Sequence, residues 1–127
     1  MKKLRLVGIS VLLGAALAGG GLAPAAVADS SCGNGQVCLW TDTNFGGGKY
    51  GAPYRNGYVG WINDQASTFK IGWTIDPRYH YVMFYHDAWF GGPSFYAKEG
   101  QAFNLTSLAH PWGGSWNDRI SSHDEAY

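Results

Sequence analysis

The chain repeats itself, and a repeat at this spacing limits the fold to one built from two similar supersecondary units. The segment from Val37 matches the segment from Val82 signal for signal: Trp40, four residues, Phe45, one residue, Gly47 lies against Tyr85, four residues, Phe90, one residue, Gly92. The surroundings agree as well, Trp40-Thr41-Asp42-Thr43-Asn44-Phe45-Gly46-Gly47 against Tyr85-His86-Asp87-Ala88-Trp89-Phe90-Gly91-Gly92. A second box follows each hairpin signal. It is Trp61-Ile62-Asn63-Asp64-Gln65-Ala66-Ser67-Thr68 in the first copy and Ser115-Trp116-Asn117-Asp118-Arg119-Ile120-Ser121-Ser122 in the second. From Phe45 to Asn63 is 18 residues and from Phe90 to Asn117 is 27, so the second copy carries a longer insertion. Ala109-His110-Pro111-Trp112-Gly113-Gly114 is assigned to it as a loop or short helical turn, and Asp76-Pro77-Arg78 to a linker turn between the copies.

Inside each copy the pattern is that of strands. Val37-Cys38-Leu39-Trp40 and Tyr81-Val82-Met83-Phe84-Tyr85 open the copies, Lys49-Tyr50 and Ser94-Phe95-Tyr96 return from Gly-rich turns, and Thr68 to Trp73 alternates as a half-buried strand does. No segment sustains a 3.6-residue apolar period. The glycines of the hairpin signal answer a steric need, because a hairpin folded sharply onto its sheet requires positive φ, which Gly reaches at least cost. The expected fold is all-β, a sandwich of two sheets.

Met1-Lys2-Lys3-Leu4-Arg5 is basic, Leu6 to Ala18 is largely apolar, and Ala26-Val27-Ala28 carries the small residues of a signal-peptidase site. Residues 1–28 are therefore expected to be removed on secretion, leaving 29–127 as one extracellular domain without a membrane anchor. Export removes Lys2, Lys3 and Arg5, so the mature charge is 6 minus 9, or −3. That is no electrostatic footprint for nucleic acid or an anionic membrane. Cys32 and Cys38, the only cysteines, are expected to form a bridge in an oxidising compartment, stapling the N-terminal segment to the first strand and constraining the unfolded chain by about 2 kcal/mol.

Asn63-Asp64 with Ser67, and Asn117-Asp118 with Ser121, place a carboxylate and a hydroxyl three residues apart just before a strand. Hard oxygen donors beside a bend with free carbonyls are what calcium takes, whereas zinc takes His and Cys. Alternatively, Asn, Asp and Ser at such places cap turns through side-chain to backbone hydrogen bonds. Two boxes at equivalent places, each with its hairpin, favour the metal.

The aromatic, four residues, aromatic, one residue, Gly pattern followed by Asn/Asp-Asn/Asp-x-x-Ser/Thr-Ser resembles the βγ-crystallin Greek key in its microbial, calcium-binding form. The resemblance covers about 37 to 127, with one Greek key over about 36–76 and the other over about 77–127. It implies a βγ-crystallin-type sandwich whose calcium sites are shared crosswise. Carried over by position, Asp64 and Ser67 face the carbonyl of Ala88, and Asp118 and Ser121 that of Thr43. Asn117 to Ser122 match the pattern fully; the first box ends in Thr68 where Ser is usual. One carboxylate per site implies micromolar to millimolar affinity.

Catalysis is not expected. His80, His86, His110 and His123 form no His-Glu-x-x-His motif, and the chain holds no Gly-x-Ser-x-Gly elbow or P-loop. The signal segment, the early disulfide and the single domain are also similar in architecture to the small secreted metalloproteinase-inhibitor family of actinobacteria. That similarity implies a rigid segment occupying the cleft of an extracellular (metallo)protease. A killer-toxin-like antimicrobial protein and a calcium-stabilised structural protein are the competing readings, the first opposed by the charge of −3. A monomer is expected.

Overall fold

The computed structural model describes residues 29–127, so the expected signal segment 1–28 lies outside the described residues. Seven strands follow one another as β1 (Gln36–Trp40), β2 (Lys49–Pro53), β3 (Thr68–Ile71), β4 (Tyr81–Asp87), β5 (Gly91–Lys98), β6 (Ala102–Asn104) and β7 (Ser122–Ala126). All pairings are antiparallel, and the strands form a four-stranded sheet in the order β2-β1-β3-β6 and a three-stranded sheet in the order β5-β4-β7. Three short 3-10 turns, Gly60–Ile62, Ala88–Phe90 and Leu105–Ser107, complete the regular structure of the described residues.

Each copy gives its third limb to the other copy's sheet. In the second copy this limb is β6, which pairs with β3 of the first through Thr68 opposite Asn104 and Phe69 opposite Phe103. In the first copy it has shrunk to a single bridge, Asn56 opposite His123 of β7. The exchange makes two Greek keys into one body, because neither sheet is complete without a limb from the other copy.

Alternation along the strands sends one set of side chains between the sheets. Val37, Leu39, Phe69 and Ile71 come from one sheet, Val82, Phe84 and Ala97 from the other, and Ile62, Leu105, Trp116 and Ile120 close the ends from the connections; all are buried. Phe69 meets Phe84 with ring centroids 5.1 Å apart, and Phe84 stacks on Phe95 at 4.9 Å. Side chains of this size each contribute about 1.5–3 kcal/mol on burial, which is how a domain this short acquires a core.

One detail differs from the sequence reading. The strand expected to reach Trp73 ends at Ile71, since Gly72 is pressed against the disulfide-bearing segment: a Cβ there would stand 1.9 Å from the carbonyl oxygen of Gly33. The insertion is a loop closed by a bridge between Ala109 and Ser115, with the His110 N–H donating to Gly114 O and the Gly113 N–H to His110 O. Cys32 and Cys38 are bonded as expected, which fixes the segment before β1 to its strand.

Candidate metal centre at the paired boxes

Among the described residues, six that are not glycine have positive φ, and they fall into three pairs related by the repeat: Asn44 and Trp89, Phe45 and Phe90, Asp64 and Asp118. A bulky residue in the left-handed region is an outlier that surrounding contacts must hold in place. Here the last hydroxyl of each box does so. Thr68 Oγ1 donates to Asp42 O at 2.7 Å and accepts the Phe45 N–H at 3.3 Å; Ser122 Oγ donates to Asp87 O at 2.6 Å and accepts the Phe90 N–H at 3.0 Å. The aromatic partners then meet edge to face, Trp40 with Phe45 and Tyr85 with Phe90. Gly47 and Gly92 take positive φ as expected, and so do the aromatics before them, because hydroxyl bonds and ring packing offset the strain. Thr68 makes the same two bonds as Ser122, so the departure from Ser in the first box changes nothing in this clamp.

Each hairpin is also latched by the other copy. The Asn44 N–H donates to Asn104 Oδ1 at 2.8 Å and Asn104 Nδ2 returns a bond to Asn44 Oδ1, while the Trp89 N–H donates to Gly57 O at 2.7 Å. Trp89, exposed over three quarters of its surface, lies flat on Gly57, where a Cβ would come within 2.3 Å of the indole. Gly57→Ala is therefore expected to cost about 1–3 kcal/mol by overpacking. Thermal melting checks it, and an unchanged melting temperature would mean that the indole does not rest there.

The boxes themselves face one another. The Asp64 N–H donates to Ile120 O at 3.2 Å and the Asp118 N–H to Ala66 O at 2.9 Å, a reciprocal pair across the pseudo-twofold axis. Ser121 Oγ donates to Asp64 Oδ1 at 3.4 Å. The carboxylate that Ser121 bonds is therefore that of the opposite box. The Ser121 N–H is held by Tyr85 O and the Ser67 N–H by Trp40 O, so each serine stays with the hairpin of its own copy. Ser121 thereby shares a hairpin with Ala88, and Ser67 shares one with Thr43, whose carbonyl accepts the Gly46 N–H at 3.2 Å. A carbonyl oxygen has a second lone pair to offer.

The side-chain carbonyl oxygens of Asn63 and Asn117, again equivalent in the repeat, are buried without a hydrogen-bond partner. An orphaned buried acceptor costs about 1–3 kcal/mol, and two at related positions point to a shared chemical purpose. Carboxylate, hydroxyl, amide and backbone oxygens make a donor set for a hard cation such as calcium; among the described residues no three His, Cys, Asp or Glu side chains gather as a zinc site would need. The residues fit calcium.

Behind the second box stands a buried network that sequence reading missed. His123 Nδ1 donates to Tyr54 O at 2.7 Å, so its Nε2 accepts from Tyr50 Oη at 2.9 Å, and Asn56 Nδ2 donates to the same Tyr50 oxygen. Burial pushes the imidazole down to about 4, against the opposing pull of the Tyr54 carbonyl and the Asp124 carboxylate. The network ties β7 to β2 and holds the second box in register.

A family model described as peptidase inhibitor family I36 matches residues 25–97, from before the disulfide to the end of β5. The chain belongs to peptidase inhibitor family I36. Solved βγ-crystallin domains have the same fold. One, from work on the evolution of the eye-lens βγ-crystallin domain fold, superposes with a TM-score of 0.59 at 25% identity over 80% of this chain and 93% of that one. A βγ-crystallin from Ciona intestinalis gives 0.56 at 26% identity, over 72% of this chain and all of that one. An archaeal βγ-crystallin gives 0.56 at 22%, over 72% and 96%. No curated protein matches. This I36 member is thus a βγ-crystallin-type sandwich, as the repeat led one to expect, and its family implies a peptidase as partner.

Proposed function

We propose that the protein is a secreted inhibitor of extracellular peptidases, metallopeptidases first among them, whose inhibitory surface is stiffened by calcium. Membership in an inhibitor family carries the first half of this reading; the signal-like segment 1–28 supports export. The calcium half is supported by the donor geometry. Asp64, Ser121 and the carbonyl of Ala88 would hold one ion, and Asp118, Ser67 and the carbonyl of Thr43 the other. Each set spans both copies, so an ion in either would cross-link two boxes and a hairpin. When bound, calcium supplies positive charge to neutralise the carboxylate and satisfy the surrounding oxygens. It takes no part in any reaction, because the protein's task is to bind a peptidase and resist it.

The peptidase-facing surface we assign is the second hairpin. Its Ala88–Phe90 turn carries an exposed Trp89 whose N–H is held by Gly57 O, while the adjoining Phe90 is held by Ser122 and the ring of Tyr85. A large aromatic presented on rigid backbone loses little entropy on binding. Purified protein assayed against metallo- and serine endopeptidases is expected to inhibit at least one, more tightly in calcium than in chelator. Trp89→Ala should weaken that inhibition at least about tenfold, as loss of a buried Trp anchor does, without changing the melting temperature much. Failure to inhibit any enzyme of either class would sink the inhibitor reading, and inhibition indifferent to calcium would sink its metal half.

A further inference from the structure

β5 is the outer strand of the three-stranded sheet, and the direction of its backbone groups follows from its neighbours. Asn56 and His123 exchange N–H···O bonds at 2.8 and 3.1 Å, so the main-chain groups of His123 point away from β4. Phe84 lies opposite His123 and therefore turns its own groups toward β5. Two and four residues earlier, Val82 and His80 do the same, and the His80 carbonyl accepts the Glu99 N–H at 2.8 Å. Phe95 and Ala97, opposite Phe84 and Val82, then face inward. The N–H and C=O of Ser94 and Tyr96 point outward, away from the sheet.

Proteins blunt such edges with proline, charge, bulges or a covering segment. Pro93 is no guard here, because it occupies an inward position beside the register shift between Tyr85 and Asp87. Lys98, the last outward residue, spends its main-chain groups on Gln101, donating to Gln101 Oε1 and accepting the Gln101 N–H. Ser94 and Tyr96 are left as a short open row with an exposed tyrosine on it.

We propose that this edge is closed by β5 of a second copy, antiparallel and centred on Phe95, so that Ser94 pairs with the partner's Tyr96 and Tyr96 with the partner's Ser94. Charge fixes both the occupant and the register. In this pairing the partner's Lys98 stands opposite Gly92. The space that a Gly92 Cβ would fill is bordered by the carboxylate of Asp87, whose Oδ2 lies 2.7 Å from that point. Asp87 Oδ1 bonds His86 Nδ1, and the Asp87 side chain remains more than half exposed. Directly opposed side chains start about 5 Å apart, within easy reach of a lysine, and the two-fold axis makes the contact twice. Sliding by two residues either way keeps the outward rows facing but carries Lys98 to Ser94 or Phe90, off the gap at Gly92. The Gly92 gap, the carboxylate beside it and the lysine six residues on therefore select one self-complementary register, a six-stranded sheet across an isologous interface. The monomer expected from sequence had no view of this edge.

The proposal stands apart from peptidase inhibition and from calcium, and its test uses neither. Sedimentation of the purified protein over a concentration series is expected to follow a monomer–dimer equilibrium, with the Ser94 and Tyr96 amides gaining protection from hydrogen exchange as the dimer fills. Lys98→Asp turns two attractions into two repulsions and should weaken the dimer at least about tenfold. Ser94→Pro, which deletes one outward N–H per copy, should weaken it as well. Combining Lys98→Asp with Asp87→Lys should restore it, an outcome that damage to folding could not imitate. A protein that stays monomeric with fast-exchanging Ser94 and Tyr96 amides overturns the proposal. So does a dimer indifferent to Lys98→Asp and Ser94→Pro, and so does an edge that becomes protected only when a peptidase is added.

Discussion

Saturating the protein with calcium is expected to raise its melting temperature by roughly 20 °C or more over the value in chelator. A ligand that binds only the folded state, present at a hundred times its dissociation constant, stabilises by about 2.7 kcal/mol per site, and a domain of this length gains about 4–8 °C per kcal/mol. Two sites built from both copies cannot survive unfolding, so both contribute in full. The geometry makes a sharper claim about who shares a site with whom. Because Ser121 Oγ meets Asp64 Oδ1, Ser121→Ala and Asp64→Asn should disable the same site, and their effects in calcium should be far from additive. Ser121→Ala and Asp118→Asn should disable different sites and add. Ser121→Arg, which places a cation where the ion would sit, should lower the binding stoichiometry by one. If the boxes are only turn caps, each serine costs about 1 kcal/mol with or without metal. Calorimetric titration and melting of these variants decide between the two; a wild-type melting curve that ignores both calcium and chelator ends the metal reading.

The repeat was legible because its signals are local. Trp40 to Gly47 and Tyr85 to Gly92 are hairpins whose aromatics and glycines act within eight residues, and the structure places them in equivalent strained turns. The exchange of third limbs was not legible, since β6 is three residues long and finds its partner 32 to 36 positions away in the other copy. The contacts between the two boxes were hidden for the same reason. Position within a box suggests that Asp118 and Ser121 act together, but a pseudo-twofold axis sets the boxes face to face, and the bonds from Asp64 to Ile120 and from Asp118 to Ala66 cross it. Asn104 lies in neither box nor hairpin signal, yet it latches Asn44. His123 gave no signal at all, because what makes it unusual is the pair of tyrosines that the fold brings to it.

That histidine sets the protein's response to acid. In the folded state its imidazole is held down to about 4, with burial as the main cause, whereas in the unfolded chain it titrates near 6.5. Between these values the unfolded chain binds the extra proton and the folded protein does not, so stability falls as pH drops from about 6.5 toward 4 and is fully present above that window. The difference amounts to about 3 kcal/mol. His110 works in the same direction, its imidazole lowered by burial first and then by Arg119 and His86. Asp29 and Asp76, held near 2 by their hydrogen bonds, are exposed, and they respond mainly below this window. Beside burial, the bond from Tyr50 works against protonation of His123. Nδ1 already donates to Tyr54 O, so a second proton could go only to Nε2, which would break the bond from Tyr50 and set a donor against a hydroxyl that already accepts from Asn56. Urea unfolding at a series of pH values should therefore give a midpoint that drops steeply between pH 6.5 and 4 and levels off above. The His123 ring resonances should remain those of the neutral Nδ1–H form at pH 5. Tyr50→Phe removes the donor and leaves Nε2 as a buried lone pair, costing about 1–3 kcal/mol at neutral pH and easing protonation of the folded state, so the loss of stability below pH 6.5 should level off at a higher pH and be smaller than in the unaltered protein. A protonated His123 in the folded protein at pH 5.5, with stability flat across the window, would show that the network does not hold the ring neutral.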